Sequence, residues 1–343
     1  MSGFRDIAGH EKTIEHLKNS IRSGKISHAY LLTGDEGMGK ETVARAYAQT
    51  LQCTALQEAL EQQDGGELPL SHVDACGECR SCIQAQKNSQ PDIITWRHAK
   101  EKTFSVDDVR GLVADVQIRP YASRFKVYIV PDAQLMTAQA QNALLKTLEE
   151  PPEYAVILLL ATSAEAMLDT ILSRCIVLPL HPVPGGILKQ YLCERHGIED
   201  YEAEICEAFA QGNVGRAVGL ATSGHFQGIL ETTVRILVSI RSWELPEITA
   251  QIRQMTADLV NVDDILDLFT VWYRDVLLFK ATGDADGIVF RQQIVEIREA
   301  AQKSSYDGIQ TILEAIGKAK VRLAANVSFD LVMELLLLTM KEN

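Results

Sequence analysis

The sequence has no apolar run that reaches the roughly 18 residues of a membrane span, and its first residues, MSGFRDIAGHEKTIEHL, lack the apolar core of a secretory signal. Those two absences place the expected protein in the cytoplasm. Basic charge is also scarce: 33 Lys and Arg stand against 46 Asp and Glu, a formal net charge of −13. A stand-alone nucleic-acid binder needs clustered cations for its phosphate contacts, so that class is disfavoured, although a subunit of a larger DNA-handling assembly is not. No internal repeat or low-complexity segment is found. What remains is the composition of a globular protein, 46% hydrophobic and 23% charged over 343 residues, enough for two or three domains.

The stretch from Ser27 to Leu51 organises the rest. Ala29 to Thr33 is a short apolar strand; Gly34, Gly37, Gly39 and Lys40 then match G-x-x-x-x-G-K, and the following helix carries Val43, Ala44, Tyr47, Ala48 and Leu51 on one face. Such a loop folds its backbone N–H groups around a phosphate, with the lysine on the outer phosphates and the positive helix end aimed at the same anion. One position breaks the pattern. The hydroxyl that should hold Mg²⁺ is replaced by Glu41, and Thr42 lies one residue late, roughly 100° round the helix. A carboxylate can bind metal, but it would sit beside the phosphates it repels.

The second half of an ATP site is expected at the end of the third strand, Val127 to Val130. There the chain reads VYIVPDAQLM. In one alignment Pro131 takes the metal-binding acid's place and Asp132 that of the water-positioning acid; in the other Asp132 is the metal ligand and Ala133 replaces the base. Either way one of two acids is missing. The fourth strand, Val156 to Leu160, is continuously apolar as a buried parallel strand should be, and Thr162 and Ser163 at its end stand where polar groups touch a γ-phosphate, though a simple turn needs them equally. Earlier, Pro91 precedes a second strand, Asp92 to Trp96, and Ser105 with Asp108 reads as a capping box opening a helix. Thr137 caps the helix that Pro151 and Pro152 stop. The segment ILSRCIVLPL, residues 171–180, places Arg174 at the mouth of a fifth strand.

Cys76, Cys79 and Cys82 form C-x₂-C-x₂-C, and Cys53 lies upstream across a polar insertion. Four thiolates wrap a tetrahedral Zn²⁺, and a closed set of four makes a structural site. The ferredoxin-type iron–sulfur run is the main rival, but it requires a fourth Cys where this chain has Gln86. His72 is a spare candidate ligand. Near the N-terminus Phe4, Ile7, Ile14, Leu17 and Ile21 have approximate helical spacing, with His10 a candidate contact near an adenine.

Together, SHAYLLTG, the cysteine insertion, KVYIVPDAQLMTAQAQNALLKTLEEPP and LSRC closely resemble the bacterial DNA polymerase III clamp-loader family of AAA+ proteins. The resemblance runs over nearly the whole chain, with Trp272, Tyr273, Arg274, Asp275 and Asn326 similar to the family's C-terminal region. It implies an α/β AAA+ P-loop domain with a parallel five-stranded sheet at 1–182, carrying a zinc-binding insertion at 53–82. A small helical lid at 183–223 and an all-α collar at 224–343 would follow. It implies ATP held between subunits, with Arg174 reaching in trans to a neighbour's nucleotide and Arg216 in the place of the lid's sensor arginine. A guanidinium suits the first role because it is permanently charged and forked. The implied partners are gamma/tau and delta subunits in a hetero-pentamer, with the sliding clamp and primer–template DNA engaged through the complex. Structural zinc is the expected cofactor, and ATP with Mg²⁺ is expected to bind weakly or not at all. With a damaged home site and an intact trans arginine, the expected role is a non-motor subunit of the polymerase III holoenzyme in DNA replication. The alternatives are an active gamma/tau-like ATPase using Glu41 or Thr42 and Asp132, and a zinc-stabilised adaptor without nucleotide.

Overall fold

The computed structural model describes residues 3–62, 68–98, 103–222, 226–257 and 262–343. Contacts divide the chain into two compact units, Met1–Ile187 with Asn213–Gly215, and Leu188–Gly212 with Arg216–Asn343.

In the first unit the elements run α1 (Glu11–Arg22), β1 (Ala29–Thr33), α2 (Lys40–Leu51), α3 (Thr54–Glu61), α4 (Arg80–Gln86), β2 (Ile93–Thr95), α5 (Val106–Val116), β3 (Lys126–Val130), α6 (Ala138–Glu149), β4 (Ala155–Ala161), α7 (Asp169–Leu172) and β5 (Ile176–Pro179). The five strands form one parallel sheet in the order β2-β3-β4-β1-β5. Both faces are covered, which is why β1, β3 and β4 are buried throughout, with Lys126 and Thr33 at strand ends the only charged or polar aliphatic side chains among them. Alternate side chains still divide between two cores. Tyr30, Leu32, Val127, Ile129, Leu158 and Leu160 join α1, α2 and the cysteine segment, while Leu31, Tyr128, Val130, Ile157 and Leu159 join α5 and α6.

Local signals set several boundaries. Ser105 and Asp108 make the reciprocal capping box at α5, and the Thr137 hydroxyl accepts from Ala140 N–H at α6. Two readings shift in detail. Phe4 lies in a short 3₁₀ turn, Phe4–Asp6, because the chain bends through left-handed Gly9 and His10 before α1 begins. Residues 171–180 are divided between the end of α7 and β5, so Arg174 lies in the turn between them.

The second unit is all helical: α8 (Gly185–His196), whose first turn belongs to the first unit, α9 (Asp200–Ala210), α10 (Val214–Thr222), α11 (Phe226–Ser239), α12 (Leu245–Ala257), α13 (Val262–Thr282), α14 (Ile294–Lys303), α15 (Tyr306–Ala324) and α16 (Phe329–Glu342). α13 is its centre and touches α9, α11, α14 and α15. Trp272 on α13 meets Phe290 edge to face at 5.3 Å between ring centroids. Residues 188–212, from the expected lid, belong to the same compact unit as the later helices. Among the described residues no helix is long and apolar enough to cross a membrane.

Candidate functional site

Parallel pairing of β1, β3 and β4 brings their C-terminal ends to one edge of the sheet, and that edge gathers Gly34, Asp132 and Thr162. Gly34 N–H donates to the Thr162 carbonyl at 3.2 Å, fixing the start of the loop; the Thr162 side chain itself is exposed. Gly39 caps α2 in the left-handed region at φ 86°, a conformation that costs a side-chain-bearing residue roughly 1–2 kcal/mol. Gly37, at φ 82°, is crowded as well: a Cβ there would lie 2.4 Å from Asn213 Oδ1. The Asn213 side-chain amide donates to the Glu36 carbonyl at 2.7 Å, and Gly215 N–H donates to the Gly37 carbonyl at 2.8 Å.

Lys40 Nζ donates to the carbonyls of Gly34 at 2.6 Å and Asp35 at 2.8 Å. Burial lowers its pKa, opposed by the charges of Asp132, Asp35 and Glu36. Asp132 follows buried Pro131 in left-handed backbone, φ 54°, and starts a short 3₁₀ turn. His10 Nε2 meets the Met38 carbonyl at 3.0 Å, tying the start of α1 to the loop. Beside it, a cavity of about 470 Å³ is lined by His10, His16, His181 and Pro179, among others.

The Glu41 carboxylate is held by two arginines. Its Oε1 accepts from Arg45 Nη2 at 2.8 Å and Arg97 Nη2 at 3.1 Å, and Oε2 accepts from Arg97 at 3.2 Å. Sequence spacing exposes the Arg45 contact, an i,i+4 pair on α2, but not Arg97, which arrives from beyond β2. Thr42 is half-buried one position further on. Arg174 pairs with Glu149 at 2.6 Å and donates to the Thr170 carbonyl at 2.9 Å, with its side chain 33% exposed. In the second unit Arg216 pairs with Asp267, which also takes Lys320, and lies 4.5 Å over the Phe209 ring.

Cys53, Cys76, Cys79 and Cys82 have sulfurs all within 4.8 Å of one another. Tetrahedral Zn²⁺ with Zn–S bonds of about 2.3 Å requires S···S separations of roughly 3.8 Å, and Cys76 to Cys82 is 3.9 Å. Backbone N–H groups of Cys76, Cys79 and Cys82 donate to the sulfurs of Cys53, Cys76 and Cys79, favouring thiolates. Hydrogen bonding between Cys53 and Cys82, against burial, lowers the pKa of Cys53 and raises that of Cys82, so the first proton of the pair leaves from Cys53. The donor set is therefore closed, partly buried and suited to a thiophilic cation. His72 is exposed, lies 3.4 Å from the Ser71 hydroxyl and stands outside the four-sulfur group.

Sequence reasoning passed over Asp74. Its carboxylate accepts from the N–H groups of Phe4 at 2.8 Å, Arg5 at 3.0 Å and Ala75 at 2.8 Å, and Arg5 reaches back to the Ala75 and Cys76 carbonyls. The cysteine segment is thus tied to the start of the chain. An acid two residues ahead of Cys76 was the only local signal.

The family described as "DNA polymerase III, delta subunit" matches residues 9–184. The chain is 31% identical over 239 residues to the DNA polymerase III subunit tau/gamma of Haemophilus influenzae, covering 68% of this chain and 32% of that protein. It is 27% identical to the DNA polymerase III subunit delta' of Bacillus subtilis, covering 96% of each. Among solved structures it is similar to a DNA polymerase III gamma-subunit-related protein of Thermotoga maritima, at 19% identity and a TM-score of 0.44, over 96% of this chain and 99% of that one. The chain thus spans about a third of one curated relative and nearly all of the other.

Proposed function

Since the chain belongs to the DNA polymerase III delta-subunit family of clamp-loader proteins, we propose that it is a delta-prime-like, non-motor AAA+ subunit of the loader. On this reading it helps place the sliding clamp on primed DNA during replication in the cytoplasm. It assembles with gamma/tau and delta subunits in a hetero-pentamer and meets clamp and primer–template DNA through that complex. α8–α10 serve as its lid, and the exposed Val321, Leu331 and Leu335 of the last two helices supply a collar face for neighbours.

The observation that carries the reading is the engagement of Glu41 by Arg45 and Arg97, at the position where a metal-binding hydroxyl belongs. With Pro131 at the end of β3, this supports a home site whose Lys40 and glycines persist while its metal shell is impaired. Asp132, Thr42, Thr162 and Arg216 are then remnants of a nucleotide site that binds ATP weakly or not at all. Arg174 retains the other half of the chemistry. On the surface turn after α7 it exchanges Glu149 for a neighbour's γ-phosphate and stabilises charge in that subunit's transition state. Cys53, Cys76, Cys79 and Cys82 hold a structural Zn²⁺, which contributes folding energy and leaves no coordination position open for catalysis.

The test is reconstitution with the partner subunits. Arg174→Ala should assemble normally and lower DNA-stimulated ATP hydrolysis at the neighbouring site by about 10³-fold or more. Glu149→Ala, which removes only the intrachain partner, should preserve turnover. Equal effects of the two variants would show that the pair matters only for folding. Similarity to tau/gamma, 31% identity over 68% of the chain, together with the retained Lys40 and glycine loop, supports a second reading, an active ATPase. Turnover by the isolated chain that disappears in Lys40→Ala would establish it.

A further inference from the structure

Away from the glycine loop, Arg174, Arg216 and the cysteines, the helical unit carries a groove of about 570 Å³ whose floor and rim differ in chemistry. The floor is α11. Leu230, Val234 and Val238 line it at i, i+4 and i+8, one face of the helix, and exposure rises along the stripe from 6% at Leu230 to 48% at Val238. At 1.5 Å per residue the stripe is about 12 Å long, or two helical turns. Tyr201 donates its hydroxyl to Gln293 Oε1 at 2.8 Å, joining the wall from α9 to the turn before α14. The rim carries Glu199 just ahead of α9, Glu202 from α9, Glu231 from α11 and Glu296 from α14, against the single guanidinium of Arg235.

We infer that this groove docks a cationic amphipathic helix of a partner protein, its apolar side chains on the Leu230–Val234–Val238 stripe and its Lys or Arg side chains toward the four carboxylates. Helix-in-groove recognition is read at i and i+4 anchor spacing, and the stripe supplies that spacing. Nucleic acid is disfavoured by the sign of the rim, because carboxylates repel phosphates. An acidic peptide is disfavoured for the same reason. The combination gives apolar area for affinity and charge for choice of partner. None of this rests on the family assignment or on nucleotide chemistry.

The experiment uses the full-length chain and a fluorescently labelled Leu/Lys peptide of amphipathic helical periodicity, followed by fluorescence anisotropy. The Leu/Glu counterpart serves as the opposite-charge probe. Saturable binding of the Leu/Lys peptide alone is expected, weakened about tenfold or more by Val238→Asp and by Glu202→Lys with Glu231→Lys, as a loss of ~1.4 kcal/mol or more requires. All three substituted residues line the groove, and circular dichroism reports whether the helices persist. Glu299→Lys, a single reversal of the same kind on α14 outside the groove, should leave binding unchanged, and Glu202→Lys alone is the charge-matched comparison. Absence of saturable binding overturns the inference. So does binding that falls equally in Glu299→Lys and ignores Val238→Asp, which is general attraction to an acidic chain. Self-association through the same stripe, seen by light scattering and abolished by Val238→Asp, would instead assign the groove to a second copy.

Discussion

His10 shows how much one side chain can connect. Its left-handed backbone ends the N-terminal bend, and its ring reaches the Met38 carbonyl inside the glycine loop. Burial lowers its pKa from 6.5, outweighing the opposing effects of that hydrogen bond and Glu11. The folded state therefore favours the neutral ring, and the unfolded chain binds more protons as pH falls through about 6.5. Stability from this residue is complete above that value and declines below it. The denaturation midpoint should fall between about pH 7.5 and about pH 5.5, and fall less in His10→Gln. At this scale the sequence was partly legible. Lys40, Glu41 and the four cysteines stand out by spacing, whereas Arg97 and Asp74 find their partners only once distant segments have packed, and no periodicity marks them.

Elements were more readable than their arrangement. Continuous apolar runs identify β1 and β4, while Ser105 and Thr137 announce α5 and α6, because caps and burial are local or periodic signals. The strand order is another matter. β1 pairs with β4 and β5, its partners in space but not in sequence, and only the closing of the whole sheet specifies this. One acid secures the approach to β3. Buried Asp92, just ahead of β2, accepts from the consecutive N–H groups of Tyr121, Ala122 and Ser123 at 2.6, 2.8 and 2.9 Å. Removing the carboxylate leaves these donors without it. Asp92→Ala should cost about 3 kcal/mol in urea unfolding, and Asp92→Asn, which keeps an acceptor oxygen, should cost less.

Across the whole molecule, the cysteine cluster belongs to the sheet-containing unit. Asp74 and Arg5 link its segment to Phe4, which packs in the same core as Tyr30, Tyr47 and Leu158. Chelation at neutral pH should therefore weaken hydrogen-exchange protection through residues 3–62 and 68–98, while protection in α13, α15 and α16 persists. Cys82→Ser should reproduce the pattern without chelator, and elemental analysis should find about one zinc per chain before treatment. The family resemblance of the motifs implied an α/β portion followed by helices. The sequence did not show that Asn213–Gly215 would return to the first unit, since a three-residue excursion has no period to detect.

That return imposes a joint history on two positions. A methyl group on Gly215 would begin 2.8 Å from both the Cα and the carbonyl oxygen of Gly37, and one on Gly37 would run into Asn213. Neither site can drift alone while the two backbones remain in contact. A second substitution at the other glycine relieves neither clash, so either change should become tolerable only where the contact itself is given up, and a lineage that has given it up has little reason to preserve either glycine.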